Sequence, residues 1–173
     1  MALVVEDGTV VAGANSYISV ADATDYLTQR GYTIWTPLLE GEKEQALVRA
    51  TDYLATYTWR GNRVSADQLL DWPRSGAVMY GFDVAETVIP LALKNACAEL
   101  AIRAAAAALM PDIPFDETGR LVTKTVDKIG PIDEERSYAT RGPLSIPVLT
   151  RRYPQVDHML AQLVRSASNT VYR

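Results

Sequence analysis

The sequence is poor in the side chains that most catalytic and metal sites use. Its 173 residues include one cysteine, Cys97, and one histidine, His158. A single cysteine excludes an internal disulfide and fits a reducing compartment. Two such residues are too few for a metal site with nitrogen and sulfur ligands. Cys97 also falls in an apolar helical pattern, which predicts a core position rather than a nucleophile.

Motifs for phosphate binding, secretion and membrane insertion are missing as well. The glycine-containing stretches GAN and RSG lack the spacing of nucleotide-binding loops. The start, MALVVEDGTVV, has neither the basic residues nor the long apolar block of a secretory signal. The longest apolar stretch, residues 88–110, is interrupted by Lys94, Asn95, Glu99 and Arg103, so it is a poor membrane span. We therefore expect no catalysis, no cofactor, no metal and no membrane partner.

Charge is present in quantity but is distributed unevenly. The net charge is −4, with eight acids against three bases up to residue 58 and twelve against eight in residues 59–135. From Arg136 onward there are six arginines and one acid, Asp157. A basic tail on an acidic body is typical either of a segment that meets a partner or polyanion, or of a solvated terminus.

Three helices are predicted in the first two thirds of the chain. Ser19 is an N-cap candidate with Asp22 three residues on, and Gly31 ends that helix. Residues 41–57 form the second pattern, with acids in the first turn and an apolar face. The third runs from Pro90 to Met110 with one narrow polar stripe, so it is enclosed either by the chain's own core or by another subunit.

The period changes after Pro114. In residues 121–138, short and long side chains alternate around Gly130-Pro131. This pattern predicts a β-hairpin arm with an exposed edge. The predicted fold is mainly α and forms a single domain over residues 1–173. It comprises a small helical bundle at about 15–112, a protruding β-hairpin arm at about 120–140, and a C-terminal helix and tail at about 147–173.

An aromatic and basic cluster lies between the second and third helices: Trp59, Arg60, Arg63, Trp72 and Arg74. Arginines interleaved with aromatics stack on bases and neutralise phosphates in nucleic-acid-binding proteins. The same residue types are enriched at protein interfaces. A third interpretation is that the tryptophans cap the core while the arginines pair with Asp67 and Asp71. The sequence leaves all three open.

Several short stretches, in order, resemble one group of phage proteins: GANSYISVADATDYL, ALVRATDYLATYTWRGNRV, LLDWPRSG, IPLALKNACAELAIRA and KIGPIDEERSY. They are similar to head–tail connector (adaptor) proteins of tailed bacteriophages, a group often labelled DnaT-like single-stranded DNA-binding proteins. The resemblance implies a largely helical subunit in a ring, usually twelvefold, beneath the portal of the virion. No catalytic or cofactor-binding residue is carried over.

The resemblance also implies partners. The ring would bind the portal protein and a downstream tail or neck protein, and duplex DNA would pass through it without specific binding, after assembly in the host cytoplasm. In that setting the cluster between helices would face a neighbouring subunit. Arg151, Arg152, Tyr172 and Arg173 would dock on the portal. The alternative function is a single-stranded DNA-binding protein of phage replication.

Overall fold

The computed structural model describes residues 2–111, 122–127, 134–138 and 152–165. Its helices are α1 Val20–Gln29, α2 Glu40–Leu54, α3 Leu91–Ala106 and α4 Pro154–Leu160. Short strands form three antiparallel pairs: β1 Asn62–Arg63 with β2 Arg74–Ser75, β3 Val78–Met79 with β4 Phe82–Asp83, and β5 Val122–Asp127 with β6 Glu134–Tyr138. The described part is rich in α-helix, as predicted.

The starts of α1, α2 and α3 each follow from residues next to the first helical turn. The Ser19 hydroxyl accepts from the Asp22 backbone N–H at 3.0 Å and donates to the Asp22 carboxylate at 2.7 Å, which confirms the predicted N-cap. At α2, the Glu42 carboxylate accepts from the Leu39 N–H at 2.8 Å. Pro90 precedes α3, where its missing N–H costs no helical bond.

Two predicted helices end early. α2 stops at Leu54, three residues short, because Thr56 and Tyr57 turn back to carbonyls three residues before them and Trp59 pairs with Val164. α3 stops at Ala106 rather than Met110, since Ala107 has an extended backbone with φ −161°. The overrun at α3 is expected, because its alanine-rich sequence continues the helical pattern past the point where the helix ends.

α3 is the central helix and contacts each of the other three. Nine of its residues are buried by this chain's own side chains. Glu99, predicted on an exposed polar stripe, is instead fully buried. Around α3 pack the large buried residues of the other segments: Leu27, Trp35, Leu47, Tyr53, Leu54, Trp72, Leu160 and Leu163.

The described residues divide into two compact units. One lies within residues 1–109 and 152–173 and holds the four helices. The other lies within residues 110–151, where β5 and β6 pair with a register shift between Val122 and Lys124. The predicted hairpin is therefore present, whereas its Gly130-Pro131 turn lies outside the described residues. The bundle arrangement, the single domain and the protrusion of the arm stay predictions.

Candidate nucleic-acid interface

The aromatic and basic cluster lies where the segment after α4 joins the segment after α2. Trp59 forms an antiparallel bridge with Val164. The Arg60 N–H donates to the Leu163 carbonyl at 2.9 Å, and the Arg165 N–H donates to the Thr58 carbonyl at 2.8 Å. This pairing brings Arg165, which is distant in sequence, beside the predicted cluster.

The two tryptophans lie in the core. Trp59 is 4% exposed and Trp72 is fully buried, with their ring centroids 6.0 Å apart in an edge-to-face arrangement. Among the described residues, neither indole N–H has a hydrogen-bond acceptor. Neither ring is therefore available for base stacking, and any role at a subunit interface would be that of an anchor beneath the surface.

The DWPRSG stretch is attached to the N-terminal region by one hydroxyl. The Tyr17 hydroxyl accepts from the backbone N–H groups of Asp71 at 3.0 Å and Trp72 at 3.3 Å. Burial raises the pKa of Tyr17 well above its ordinary value of 10.0. The Trp72–Pro73 peptide bond is cis. The two hydrogen bonds to the Tyr17 hydroxyl fix the main chain of this loop at Asp71 and Trp72.

A buried amide that sequence reasoning missed shapes the same loop. The Gln68 carbonyl accepts from the N–H groups of Val64 at 2.9 Å and Ser65 at 3.1 Å. Its amide donates to the carbonyls of Leu70 at 2.8 Å and Pro73 at 3.2 Å. No local sequence pattern marks this glutamine, because its partners are all main-chain groups.

Arg74 is bound by backbone carbonyls rather than by acids. Its guanidinium donates to Arg60 O at 2.7 Å, Gly61 O at 2.7 Å and Asp71 O at 3.0 Å. The suggested pairing of the arginines with the Asp67 and Asp71 carboxylates is therefore wrong in its geometry. Partial burial lowers the pKa of Arg74, Asp71 opposes this, and the positive charges of Arg165 and Arg63 lower it further.

The remaining arginines are exposed. Arg60 donates to the Val164 carbonyl at 3.1 Å, and Arg63 donates to the carbonyls of Gln68 and Leu70. Within the described ranges, none of these arginines forms an ion pair with a carboxylate. We call Arg60, Arg63, Arg74 and Arg165 the arginine cluster. Their charges are not neutralised by a carboxylate among the described residues, although several of their N–H groups already donate to main-chain carbonyls.

An aromatic hairpin follows the cluster directly, and sequence reasoning missed it. β3 and β4 carry Tyr80 at the turn and Phe82 on the second strand, 72% and 77% exposed respectively. The signal was available as the alternation of Val78, Tyr80 and Phe82 around Gly81. Exposed aromatic rings beside arginines are the side chains that single-stranded nucleic acids contact.

The C-terminal candidates do not join this cluster within the described residues. Arg152 is exposed and pairs with Asp157 at 3.5 Å, and Asp157 also accepts from the Tyr57 hydroxyl at 2.7 Å. Burial first, and then that hydrogen bond, raise the pKa of Tyr57. Arg151, Tyr172 and Arg173 lie outside the described residues, so their docking role stays a prediction.

The described residues contain no group of three or more metal-ligating side chains. Cys97 is fully buried against the Thr51 hydroxyl, and burial raises the pKa of its thiol to about 11. Such a thiol is a poor nucleophile at neutral pH. No helix in the described ranges combines the length and the hydropathy that crossing a membrane requires.

A family model described as "Putative DnaT-like ssDNA binding protein" matches residues 1–173, the whole chain. The chain belongs to this DnaT-like family. Comparison with curated proteins and with solved structures gives no significant match.

Membership of the DnaT-like family supports one half of the resemblance drawn from the sequence. The family description names single-stranded DNA binding, which was the alternative function, and does not name a connector, a portal or a virion. Because the match spans the whole chain, it includes both the arginine cluster and the aromatic hairpin.

Proposed function

We propose that this chain binds single-stranded DNA through the arginine cluster. The observation that carries the proposal is the charge arrangement: three exposed arginines surround Arg74, and no carboxylate among the described residues pairs with any of the four. Such unpaired guanidinium groups bind phosphate oxygens strongly, often with two hydrogen bonds each. The DnaT-like family description supports the same function.

The arrangement of Arg74 favours a preorganised site. Its three bonds to carbonyls tie the main chain at Arg60 and Gly61 to the loop at Asp71. Arg63 is likewise held by the carbonyls of Gln68 and Leu70. Side chains that are already fixed lose less entropy when they bind a ligand, so each phosphate contact contributes more of its energy to affinity.

The net charge of −4 limits the affinity. The acidic remainder of the chain repels a polyanion, and only a few phosphates can reach the cluster. We therefore expect binding in the range of about 10⁻⁴ to 10⁻⁶ M at physiological salt, as for other non-specific DNA contacts. Since each phosphate contact on a single strand contributes about 0.7 to the slope of log affinity against log salt, three arginines contribute about 2.

The test is a titration of a fluorescently labelled oligothymidine over a series of salt concentrations. The triple variant Arg60→Gln, Arg63→Gln, Arg165→Gln should lose most of the affinity, and its salt slope should fall by about 2. Arg49→Gln, an exposed arginine on α2, is the matched control and should leave both quantities unchanged. Equal binding by the triple variant, or no binding by the wild type, would contradict the proposal.

A second candidate function is the head–tail connector suggested by the resemblance. The observation in its favour is the β5–β6 pair, which belongs to a compact unit separate from the helices, as an arm reaching a neighbour would require. In this proposal the chain forms a ring in the virion, binds portal and tail or neck proteins, and lets duplex DNA pass. Neither candidate includes a catalytic step.

Mass measurement on the same samples separates the two candidates. A connector should assemble into a closed ring whose mass is a multiple of the 19.0 kDa chain and is independent of the oligonucleotide. A DNA-binding chain should increase in mass only when oligothymidine is added. A large ring with no affinity for oligothymidine would favour the connector.

A further inference from the structure

The hairpin of β3 and β4 has a tyrosine at a turn position where smaller residues are usual. Met79 faces Phe82, so Tyr80 and Gly81 form a two-residue turn, with φ values of 53° and 85°. This is the left-handed pattern in which asparagine, aspartate or glycine is preferred at the first position. A tyrosine there is uncommon. Turn geometry thus favours a smaller side chain than the one present.

The tyrosine ring is directed to solvent rather than to the core. Tyr80 is 72% exposed and Phe82 is 77% exposed. Among the described residues, neither ring contacts another aromatic ring or lies beneath a cation. Within this part of the chain, Tyr80 therefore gains no aromatic or cation contact that would offset its left-handed backbone. Strained residues with exposed functional side chains are candidates for ligand contact.

The base of the hairpin abuts the arginine cluster. The Val84 N–H donates to the Ala77 carbonyl at 2.8 Å and closes the hairpin. A methyl group on Gly61 would lie 3.0 Å from the Ala77 nitrogen, so the two backbones touch there. The carbonyl of Gly61 also accepts from Arg74 at 2.7 Å. The base of the hairpin therefore lies against the backbone at Gly61, to which Arg74 is hydrogen-bonded.

We infer that Tyr80 and Phe82 stack on unpaired bases of a single strand whose phosphates are held by the arginine cluster. This inference rests on the proposed function and names its base-contacting residues. Every base has a face that stacks on an aromatic ring, so the contact is tolerant of sequence. In a duplex the bases are already stacked and paired. The hairpin therefore supplies the preference for single strands that arginines alone lack.

The experiment compares two hairpin variants with the wild type on labelled oligothymidine and on a duplex of equal length. Tyr80→Asn removes a ring and installs a residue suited to the turn. Phe82→Thr removes the other ring but keeps a strand-forming residue. Each should weaken single-strand binding roughly 5- to 150-fold, the range for one lost stacking contact, and leave duplex binding unchanged.

Two controls make the result specific. Leu91→Ala removes an equally exposed apolar side chain at the start of α3 and should leave DNA binding unchanged. Thermal melting should give Tyr80→Asn a melting temperature equal to or above that of the wild type, because the turn is relieved. Loss of affinity together with an intact or raised melting temperature supports a role in binding rather than in folding.

Three outcomes distinguish the possible failures. If the wild type does not bind oligothymidine, the proposed function and this inference fail together. If the arginine triple variant loses affinity but both hairpin variants bind like the wild type, the proposed function stands and the stacking role is wrong. If the hairpin variants change the mass of the protein in solution and not its affinity for DNA, the hairpin contacts protein and the inference is overturned.

Discussion

At the scale of single residues, the buried carboxylate of Glu99 organises a polar network inside the helical unit. It accepts from the Tyr26 hydroxyl at 3.2 Å and the Tyr32 hydroxyl at 3.0 Å. It also pairs with Arg103 one turn later at 2.9 Å. A buried carboxylate is tolerated only when it is paired and hydrogen-bonded. Here the two tyrosine hydroxyls donate the hydrogen bonds and Arg103 supplies the opposite charge.

Replacement of this carboxylate should therefore destabilise the fold. Glu99→Ala leaves a guanidinium and two hydroxyls without their acceptor and opens a cavity, so the free energy of unfolding should fall by about 3 to 5 kcal/mol. Glu99→Gln keeps a hydrogen-bond acceptor and should cost less. Urea denaturation measures both values.

Glu86→Ala is the control for this comparison, since Glu86 is exposed in the loop before α3. It should change the free energy of unfolding by no more than about 0.5 kcal/mol. Similar losses for Glu99→Ala and Glu86→Ala would show that the network contributes little.

At the scale of elements, the β1–β2 pair depends on a close backbone approach at Gly61. Its φ is +72°, and a Cβ there would lie 2.4 Å from the Ser75 carbonyl oxygen. Asn62 faces Ser75 and Arg63 faces Arg74 in the adjoining register. A side chain at residue 61 would push the strands apart and pull Arg74 from the carbonyls it binds.

Gly61→Ala and Gly76→Ala separate backbone strain from steric contact. Gly76 has a similar φ of +66° but open space around its Cβ position. Both variants carry the cost of a left-handed alanine. Gly61→Ala should lose about 1 to 3 kcal/mol more, because it adds an overpacked contact. Equal losses in thermal or urea unfolding would mean that the strands separate without cost.

At the scale of the whole molecule, several buried or half-buried tyrosine and cysteine side chains with raised pKa values link stability to alkaline pH. Burial is the first cause in each case, and it raises the pKa of Tyr26 to about 12 and that of Cys97 to about 11, from ordinary values of 10.0 and 9.0. The pKa values of Tyr17 and Tyr57 are raised as well. The folded state holds these protons more tightly than the unfolded state.

Stability should therefore be complete below about pH 9 and fall as the pH rises through 10 towards 12, since the unfolded state loses its protons first. Urea midpoints measured at intervals across this range would check the direction. Tyr26→Phe should reduce the decline, because the substitution removes one of the linked groups. A free energy of unfolding that stays constant up to about pH 11 would contradict this account.

Much of the local structure was predictable from the sequence because its causes are local. Ser19 and Asp22 cap α1, Pro90 precedes α3, and alternation after Pro114 predicted the β5–β6 pair. In each case the residues that decide the conformation lie within a few positions of one another. The absence of phosphate-loop spacings and the low number of cysteine and histidine residues are likewise read directly from the sequence.

The candidate site was decided by the tertiary structure. The sequence placed Trp59, Trp72 and Arg74 together, but only the fold buries both rings and turns Arg74 towards main-chain carbonyls. Arg165 enters through the pairing of Trp59 with Val164. Local spacing cannot encode such contacts, because burial and main-chain pairing depend on segments that are distant in sequence and meet only after the core has formed.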